Sequence, residues 1–496
     1  METNAEYFGI SRLQLMENAG RGVASEISLR FPSKKTRISL FCGLGGNGGD
    51  GFVTARHLLS RGYQVDVIVS GKPATITHEA TLKNWLSLQQ LKRNFNLIEV
   101  SDSSQIPKTK ADVIIDALLG IGLKGAPKPP ILQLIRTINK TRAFCLAVDV
   151  PTGLDSDSGE ILNEAIRADL TITFHKAKPG LLKAKDNVGE LFVADIGLPK
   201  ILEKYAGPGD VDLIITPRPL ESHKGDFGSV LIVGGSETFT GAPALTALAA
   251  LRAGADLTYI AAPEKTAYAL SSISPNLITI KLKGSHLIAN DIPLIKQCLN
   301  KATAIVIGPG LGLHSETEQA VQELLVALKE VKTSLLLDAD GLKIYGRLKQ
   351  PLDIPLVLTP HTQEFSILIG KKAPSDLKEK EAMVKRTAAR FKAVIVLKGN
   401  TDIISDGSRI KLNFTGNPGM TVGGTGDILS GVIAALLAQQ IDPFRAAVAG
   451  TFVNGAAGDF AKKRKGHHLL ATDLLDWIPQ VLDNPSSHLS VQDNAP

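Results

Sequence analysis

The stretch Ile38-Ser39-Leu40-Phe41-Cys42-Gly43-Leu44-Gly45-Gly46-Asn47-Gly48-Gly49-Asp50-Gly51 decides how the first half of this chain folds. Its opening residues are strand formers, a glycine-dense segment follows, and an apolar helical pattern through Val53, Leu58 and Leu59 comes next. Strand, glycine loop and helix together make a phosphate-binding unit. The first amides of such a helix have no partner inside it, and its dipole favours an anion there. Glycine lets a phosphate reach the backbone with no Cβ in the way.

Gly43, Gly45 and Gly48 also satisfy G-x-G-x-x-G, the dinucleotide-dehydrogenase pattern. That pattern wants an acidic residue ending the second strand, whereas Asp66 lies inside Val65-Asp66-Val67-Ile68-Val69 and Ser70 ends it. The sequence therefore speaks against a dehydrogenase. Upstream, Leu15, Ala19, Val23 and Ile27 mark the buried face of a helix. Downstream, apolar strands at 113–116, 144–149 and 170–174 alternate with helical stretches over 77–91 and 131–139. This rhythm predicts a parallel sheet covered on both faces, with ligands beyond the C-terminal strand ends. Three polar loops fall on that rim: the glycine loop, Asp116 with the segment 120–125, and Asp149-Val150-Pro151-Thr152-Gly153.

Composition narrows the function. At 496 residues the chain is too long for one core, and a hydrophobic fraction of 44% with 21% charged residues is that of a soluble globular protein. No apolar run approaches the roughly 20 residues that span a bilayer, and no signal peptide is evident, so a cytoplasmic protein with no membrane partner is expected. The net charge of +6 is small and scattered, which suits an anionic small molecule and gives no footprint for nucleic acid. Cys42, Cys145 and Cys298 are far apart in apolar contexts and are expected in the core. Lys462-Lys463-Arg464-Lys465 before Gly466 reads as a cationic helix end with a glycine stop.

Between residues 196 and 219 proline and glycine break the rhythm, and a second α/β series begins. The expected division is 1–208, 209–483 and a disordered tail over 484–496, rich in Ser, Asn, Asp and Pro. The second series culminates in Gly416-Asn417-Pro418-Gly419-Met420-Thr421-Val422-Gly423-Gly424-Thr425-Gly426-Asp427, which runs into a helix through Ile428, Leu429, Val432 and Ile433. Its glycines form another anion cradle, and a carboxylate at that place repels phosphate unless it has a task. Taking a proton from a hydroxyl that attacks a phosphoryl group is such a task. The fold class read from the sequence is thus α/β, with two doubly wound parallel-sheet domains, the first a Rossmann-like three-layer sandwich.

The first half, with Gly-x-Gly-x-Asn-Gly-Gly-Asp-Gly, Asp-Ala-Leu-Leu-Gly-x-Gly and Asp-x-Pro-Thr-Gly in that order, resembles the NAD(P)H-hydrate epimerase domain. The resemblance implies that Gly46, Asn47, Gly48, Gly49, Asp50, Gly120, Ile121, Gly122, Leu123, Lys124, Gly125, Ala126 and Asp149 bind the hydrated dinucleotide. It also implies that Asn47, Asp116 and Thr152 hold K⁺. Gly46 stands where that family has the first of two asparagines.

The second half carries His-Lys-Gly-x-x-Gly, Gly-Gly-Ser, Gly-Pro-Gly-Leu-Gly, Thr-Pro-His-x-x-Glu and Gly-Gly-Thr-Gly-Asp, and is similar to the ribokinase-like dehydratases that act on NAD(P)H hydrates. By that resemblance Ala242, Gly310 or Gly312, His361 and Asp427 face the hydrated nicotinamide. Lys398, Gly399, Asn400, Thr401 and Asp402, with Gly426, hold the adenine nucleotide. Asp402 stands where threonine is common, and His361 stands where sugar and vitamin kinases of the same fold usually have asparagine.

The chemistry implied is metabolite repair of hydrated NADH and NADPH (NADHX and NADPHX). Hydroxide on C6 of a hydrated nicotinamide is a poor leaving group, and phosphorylation by ADP, with Mg²⁺ on the nucleotide, turns it into a good one. Asp427 is the expected base. The hydrated carbon is stereogenic, so an epimerase in the same chain would supply the acceptable S form, with Asp149 moving the proton. A homo-oligomer is expected. The competing reading is a sugar or vitamin kinase fused to a binding domain that has lost its chemistry.

Overall fold

The computed structural model describes residues 1–492 apart from Lys124, Lys332 and Lys349. The chain divides into two compact units, Gly9–Pro199 and Met1–Phe8 with Lys200–Pro496.

The unit Gly9–Pro199 holds seven strands: β1 (Arg37–Cys42), β2 (Gln64–Ser70), β3 (Asn96–Val100), β4 (Val113–Ala117), β5 (Phe144–Val148), β6 (Leu170–Phe174) and β7 (Glu190–Ala194). All pair in parallel, in the order β3-β2-β1-β4-β5-β6-β7. Successive strand residues face opposite layers. Leu40, Val67 and Ile115 pack with Val23, Ile27, Phe52 and Leu58 on one face, and Phe41, Ile68 and Ile114 pack with Leu134, Ile135 and Ile138 on the other. The result is a three-layer sandwich. The connections leave β1 in opposite directions at β2 and β4, which opens a crevice at the C-terminal ends of β1 and β4. Ser11 starts the helix Arg12–Arg30 with a capping box to Gln14. β3 and β7 escape the sequence pattern because both are outer strands, and Phe192 and Val193 of β7 are exposed.

The second unit carries β8 (Ser229–Val233), β9 (Leu257–Pro263), β10 (Ile278–Leu282), β11 (Ala304–Ile307), β12 (Ser334–Leu337), β13 (Leu356–Leu358), β14 (Val394–Leu397), β15 (Asp402–Ser405) and β16 (Ile410–Asn413). Their order is β10-β9-β8-β11-β12-β13-β14-β15-β16, and the switch point falls between β8 and β11. Val230, Ile232 and Val306 pack against Ala247, Ile428 and Val432, while Leu231, Ile305 and Leu335 pack against Leu324, Phe365 and Phe391. The sheet is parallel from β10 through β14, as expected, and adds an edge that the sequence reading did not include: β15 pairs antiparallel with both β14 and β16. Only Lys398 to Thr401 separate β14 from β15, far too few residues for a crossover.

The termini also depart from expectation. Residues 1–8 belong with the second unit, and the boundary falls at Pro199 rather than after residue 208. Asn4 Nδ2 donates to Asp210 at 2.8 Å, and Tyr7 is buried with its hydroxyl 2.7 Å from His488 Nδ1. The tail is not disordered over its described part. Residues Pro485–Ser490 form a 3-10 helix, and His488 is buried among Tyr7, Phe452 and Phe460 with Nε2 2.9 Å from Asp459. A polar composition concealed one aromatic-packed histidine, and residues 493–496 lie outside the described part of the chain. Cys298 is partly exposed rather than in the core. Among the described residues, no helix is long and apolar enough to cross a membrane.

Candidate active sites

In the unit Gly9–Pro199 the helix after β1 starts at Gly46, so Gly46, Asn47, Gly48, Gly49 and Asp50 are its first residues rather than a free loop. The backbone is tight there: a Cβ on Gly48 would stand 1.9 Å from the carbonyl oxygen of Gly43, so only glycine fits. Asp116, at the end of β4, is fully buried. Its Oδ1 accepts from Thr152 Oγ1 at 2.7 Å and its Oδ2 from the Thr152 amide at 2.8 Å. Burial pushes the Asp116 carboxyl up to about 6 despite these bonds. Thr152 Oγ1 in turn accepts from the Leu119 amide at 3.0 Å. A Cβ on Gly120 would lie 3.4 Å from that of Asn47 and 3.6 Å from Asp149 Oδ2. The β1, β4 and β5 loops therefore meet at Gly120, and Asn47, Asp116, Asp149 and Thr152 are joined through it and its neighbour Leu119. Ile121 is exposed at the lip, while Lys124 lies outside the described residues. Gly122, Leu123, Gly125 and Ala126 follow on the same loop, beyond Gly120.

Asn47 is the odd member. Its side chain is 9% exposed, yet neither Oδ1 nor Nδ2 has a hydrogen-bond partner among the described residues. An orphaned amide oxygen and a buried carboxylate with no described cation against it fit a cation held by oxygen ligands. Asp149 is different again. Its backbone is left-handed, φ 65°, and its Oδ1 is bonded to Lys178 Nζ and, at 3.1 Å, to Thr173 Oγ1. Lys178 also donates to Thr173 Oγ1 at 2.8 Å and to the Phe174 carbonyl at 3.3 Å.

In the second unit Asp427 lies in the first turn of the helix Thr425–Ala438, whose N-cap is Gly424 with φ 99°. Gly426 is within reach of Lys398, since a Cβ there would lie 3.2 Å from Nζ. Lys398 Nζ donates to Asp338 Oδ1 at 3.0 Å, and Ser430 Oγ donates to Asp338 Oδ2 at 2.8 Å. Burial would lower Lys398, but the carboxylates of Asp338 and Glu364 outweigh it and hold the ammonium charged; Asp338 is correspondingly held low. Glu364 is raised by burial. Asp427 is pushed up to about 7, first by burial, then by the Asp338 charge, with Lys398 opposing and Glu364 adding. That places its proton exchange at the working pH of a general base.

The remaining expected residues sort into two groups. Ala242 and Gly310 come together, as a Cβ on Gly310 would lie 3.5 Å from that of Ala242, and a Cβ on Gly424 would lie 2.6 Å from Leu245 of the same helix as Ala242. Gly312 donates its amide to Asp340 Oδ2 at 2.9 Å. His361 and Asp402 hold their own turns. His361 Nδ1 accepts from the Gln363 and Glu364 amides and so caps the helix Thr362–Ile369, while the His361 backbone forms a parallel β-bridge with that of Lys398. Asp402 accepts from the Gly399 amide at 2.9 Å and from Asn413 at 3.0 Å, and burial pushes it up to about 6. Its carboxylate closes the β14–β15 turn, on which Asn400 and Thr401 sit.

The NAD(P)H-hydrate dehydratase family profile matches residues 230–480, and the profile described as YjeF-related protein N-terminus matches residues 12–180. The chain is 45% identical over 490 residues to the bifunctional NAD(P)H-hydrate repair enzyme Nnr of Hyperthermus butylicus, covering 98% of this chain and 91% of that protein. It belongs to the bifunctional NAD(P)H-hydrate repair enzyme family. The Nnr enzyme of Pyrobaculum aerophilum is 44% identical over 488 residues, 97% of this chain and 96% of its own. A ribokinase-like superfamily protein from Enterococcus faecalis matches the fold with a TM-score of 0.50 and 27% identity, over 56% of this chain and 95% of that one.

Within this family member, three charged residues beside the expected set had no role assigned from sequence. Lys178 pairs with Asp149 across the end of β6, and the only local signal was a cation just past an apolar strand. Asp338 and Glu364 stand inside quoted motifs, but nothing in the sequence said that both carboxylates act on Asp427.

Proposed function

We propose that the chain repairs hydrated NADH and NADPH in two steps, epimerisation in the unit Gly9–Pro199 and ADP-dependent dehydration of the S hydrate in the second unit. The observation that carries this reading is Asp427, a carboxyl raised to about 7 in the first turn of a glycine-capped helix, beside the Lys398–Asp338 pair. As a base, Asp427 takes the proton of the C6 hydroxyl while the hydroxyl oxygen attacks the terminal phosphorus of ADP and AMP leaves. The amides of Gly423–Gly426 and the Lys398 ammonium meet the charge that spreads over the phosphoryl oxygens. The ring-nitrogen lone pair then expels phosphate from C6, and loss of the C5 proton restores the double bond. Mg²⁺, when bound, would neutralise phosphate charge, and the buried Glu364 carboxylate would be the side chain to hold it. ADP is proposed as donor and NADHX and NADPHX as substrates. The enzyme given a mixture of both hydrates with ADP should yield AMP, phosphate and NADH absorbance in equal amounts. No NADH from the hydrates, together with nucleotide-dependent phosphorylation of an added sugar or vitamin alcohol to a stable phosphate ester, would establish the sugar or vitamin kinase reading instead.

In the first unit Asp149 would relay a proton between the C6 hydroxyl and the ring nitrogen while the C6–N1 bond breaks to an open-chain aldehyde and re-forms on the other face, with Lys178 and Thr173 fixing its Oδ1. Asn47, Asp116 and Thr152 would hold K⁺, whose charge would stabilise the buried Asp116 carboxylate and orient the loops around Gly120. Crystals soaked in Rb⁺ should show an anomalous peak among these three side chains, and Thr152→Ala should erase it. A peak elsewhere only, or a zinc at this place, overturns the assignment.

A further inference from the structure

A second group of ligand-type side chains lies in the dehydratase-type unit. The turn after β10 carries Ser285 and His286, and the loop after β11 runs through Gly308–Gly312 to His314, which stands just before the helix Ser315–Ala327. The two imidazoles face one another with centroids 3.9 Å apart and planes inclined at 35°. His286 Nε2 is 3.1 Å from Glu316 Oε2, and His314 Nδ1 is 3.6 Å from the same oxygen. One ligand atom from each of the three residues falls within 4.8 Å of the others.

The surroundings prepare these atoms. Ser285 Oγ lies 3.1 Å from His286 Nδ1, which occupies that nitrogen and turns Nε2 toward the carboxylate, as a second partner does for metal-bound histidines. The Glu316 amide reaches His314 Nδ1 only at 3.4 Å, so helix capping holds that nitrogen weakly. His314 and Glu316 side chains are 53% and 60% exposed, which leaves room for an ion to enter with its water. Two neutral nitrogens and one carboxylate oxygen are the donors of borderline cations such as Zn²⁺ or Ni²⁺, not of Mg²⁺ or Ca²⁺, which take oxygen.

We propose that His286, His314 and Glu316 bind one divalent transition-metal ion of the zinc type, with water completing the shell. The ion would do more than decorate the surface. His314 is the second residue after Gly312, and the Ser285 carbonyl accepts the Glu237 amide at 2.9 Å, so one bound ion ties the 308–314 loop and the 234–239 loop to the same turn. Those two loops follow β11 and β8, the strands on either side of the switch point. A metal there braces both walls of the crevice.

The test uses the full chain, stripped with a chelator and titrated calorimetrically with ZnCl₂ and, separately, MgCl₂. One Zn²⁺ per chain should bind, Mg²⁺ should not compete, and His286→Asn or Glu316→Gln should weaken Zn²⁺ by about 10–100-fold or more. Zn²⁺ should raise the melting temperature of the wild type and not that of the His286→Asn/His314→Asn double variant, whose own circular dichroism should match the wild type. Unchanged Zn²⁺ affinity and stoichiometry in that folded double variant overturns the site, as does displacement of Zn²⁺ by equimolar Mg²⁺. Zn²⁺ binding that survives with no rise in melting temperature overturns the bracing.

Discussion

Replacing Asp427 with asparagine should slow ADP-dependent dehydration of the S hydrate by about 10²–10⁴-fold while nucleotide affinity changes little. Asparagine keeps the shape and an acceptor oxygen in the first helical turn but cannot take a proton. The pH profile carries the sharper information. Burial and the Asp338 charge push Asp427 up to about 7, so in the free enzyme the base is protonated and idle below that pH and ionised above it. The wild-type rate should therefore climb with pH through neutrality and level off, and the residual activity of the variant should lack that limb. A carboxyl acting as an acid would give the opposite slope. Stability should move the other way from activity. A carboxyl whose folded pKa is raised contributes stability that is lost as pH rises from its unfolded value, near 4, to the folded value. The neutral amide has no such loss, so the variant should melt above the wild type by a margin that widens up to about pH 7. Steady-state kinetics and melting curves over the same buffers check both. A variant with full turnover moves the base to another residue.

The alternation of apolar strands with helices was enough to read the central strands of both sheets, because a parallel strand buried on both faces must be apolar throughout, as Leu40 with Phe41 and Leu231 with Ile232 are. The rim loops were legible for a related reason: glycines such as Gly48 mark backbone approaches that no other residue tolerates. What escaped depends on contacts between residues far apart in the chain. Tyr7 and His488 are separated by nearly the whole sequence, and neither the short first helix nor the polar tail reveals that they share a hydrogen bond. The reversal at β15 was missed because Val394–Leu397 is as apolar as any parallel strand, and its antiparallel partner is announced only by the shortness of the turn that Asp402 closes. Charge is the least legible property. Lys178 follows a strand like many surface lysines, and Asp338 ends one like many capping aspartates. Only the fold shows the first bonded to Asp149 and the second held beneath Lys398 and Ser430.

Asp149→Asn should abolish rapid use of the R hydrate while leaving the S hydrate phase intact, a fall in epimerisation of about 10²–10⁴-fold toward the spontaneous rate. The substitution is chosen for its backbone. Asp149 sits at φ 65°, and asparagine is among the few residues that accept the left-handed region without strain, so the loop that also carries Thr152 should keep its course. Its side-chain oxygen can still accept from Lys178 and Thr173, which leaves the loss of the ionisable oxygen as the main change. Lys178→Met is the companion. It removes the cation bonded to Asp149 Oδ1 without touching the backbone, and it should impair R-hydrate use through the orientation of Asp149 while the S phase again persists. With a mixture of hydrates, excess ADP and the NADH absorbance as signal, the wild type should give one fast phase that consumes everything. Both variants should give a fast phase equal to the S fraction and then a slow one. Adding a catalytic amount of the Asp427→Asn protein, whose first unit is untouched, should restore the fast consumption of the remainder. Complementation of that kind requires the two activities to reside in different units and the hydrate to pass through solution. A slow phase that persists after the addition would overturn the division of the two activities between units, and fast use of the R hydrate by both variants themselves would place the proton transfer of epimerisation outside Asp149 and Lys178.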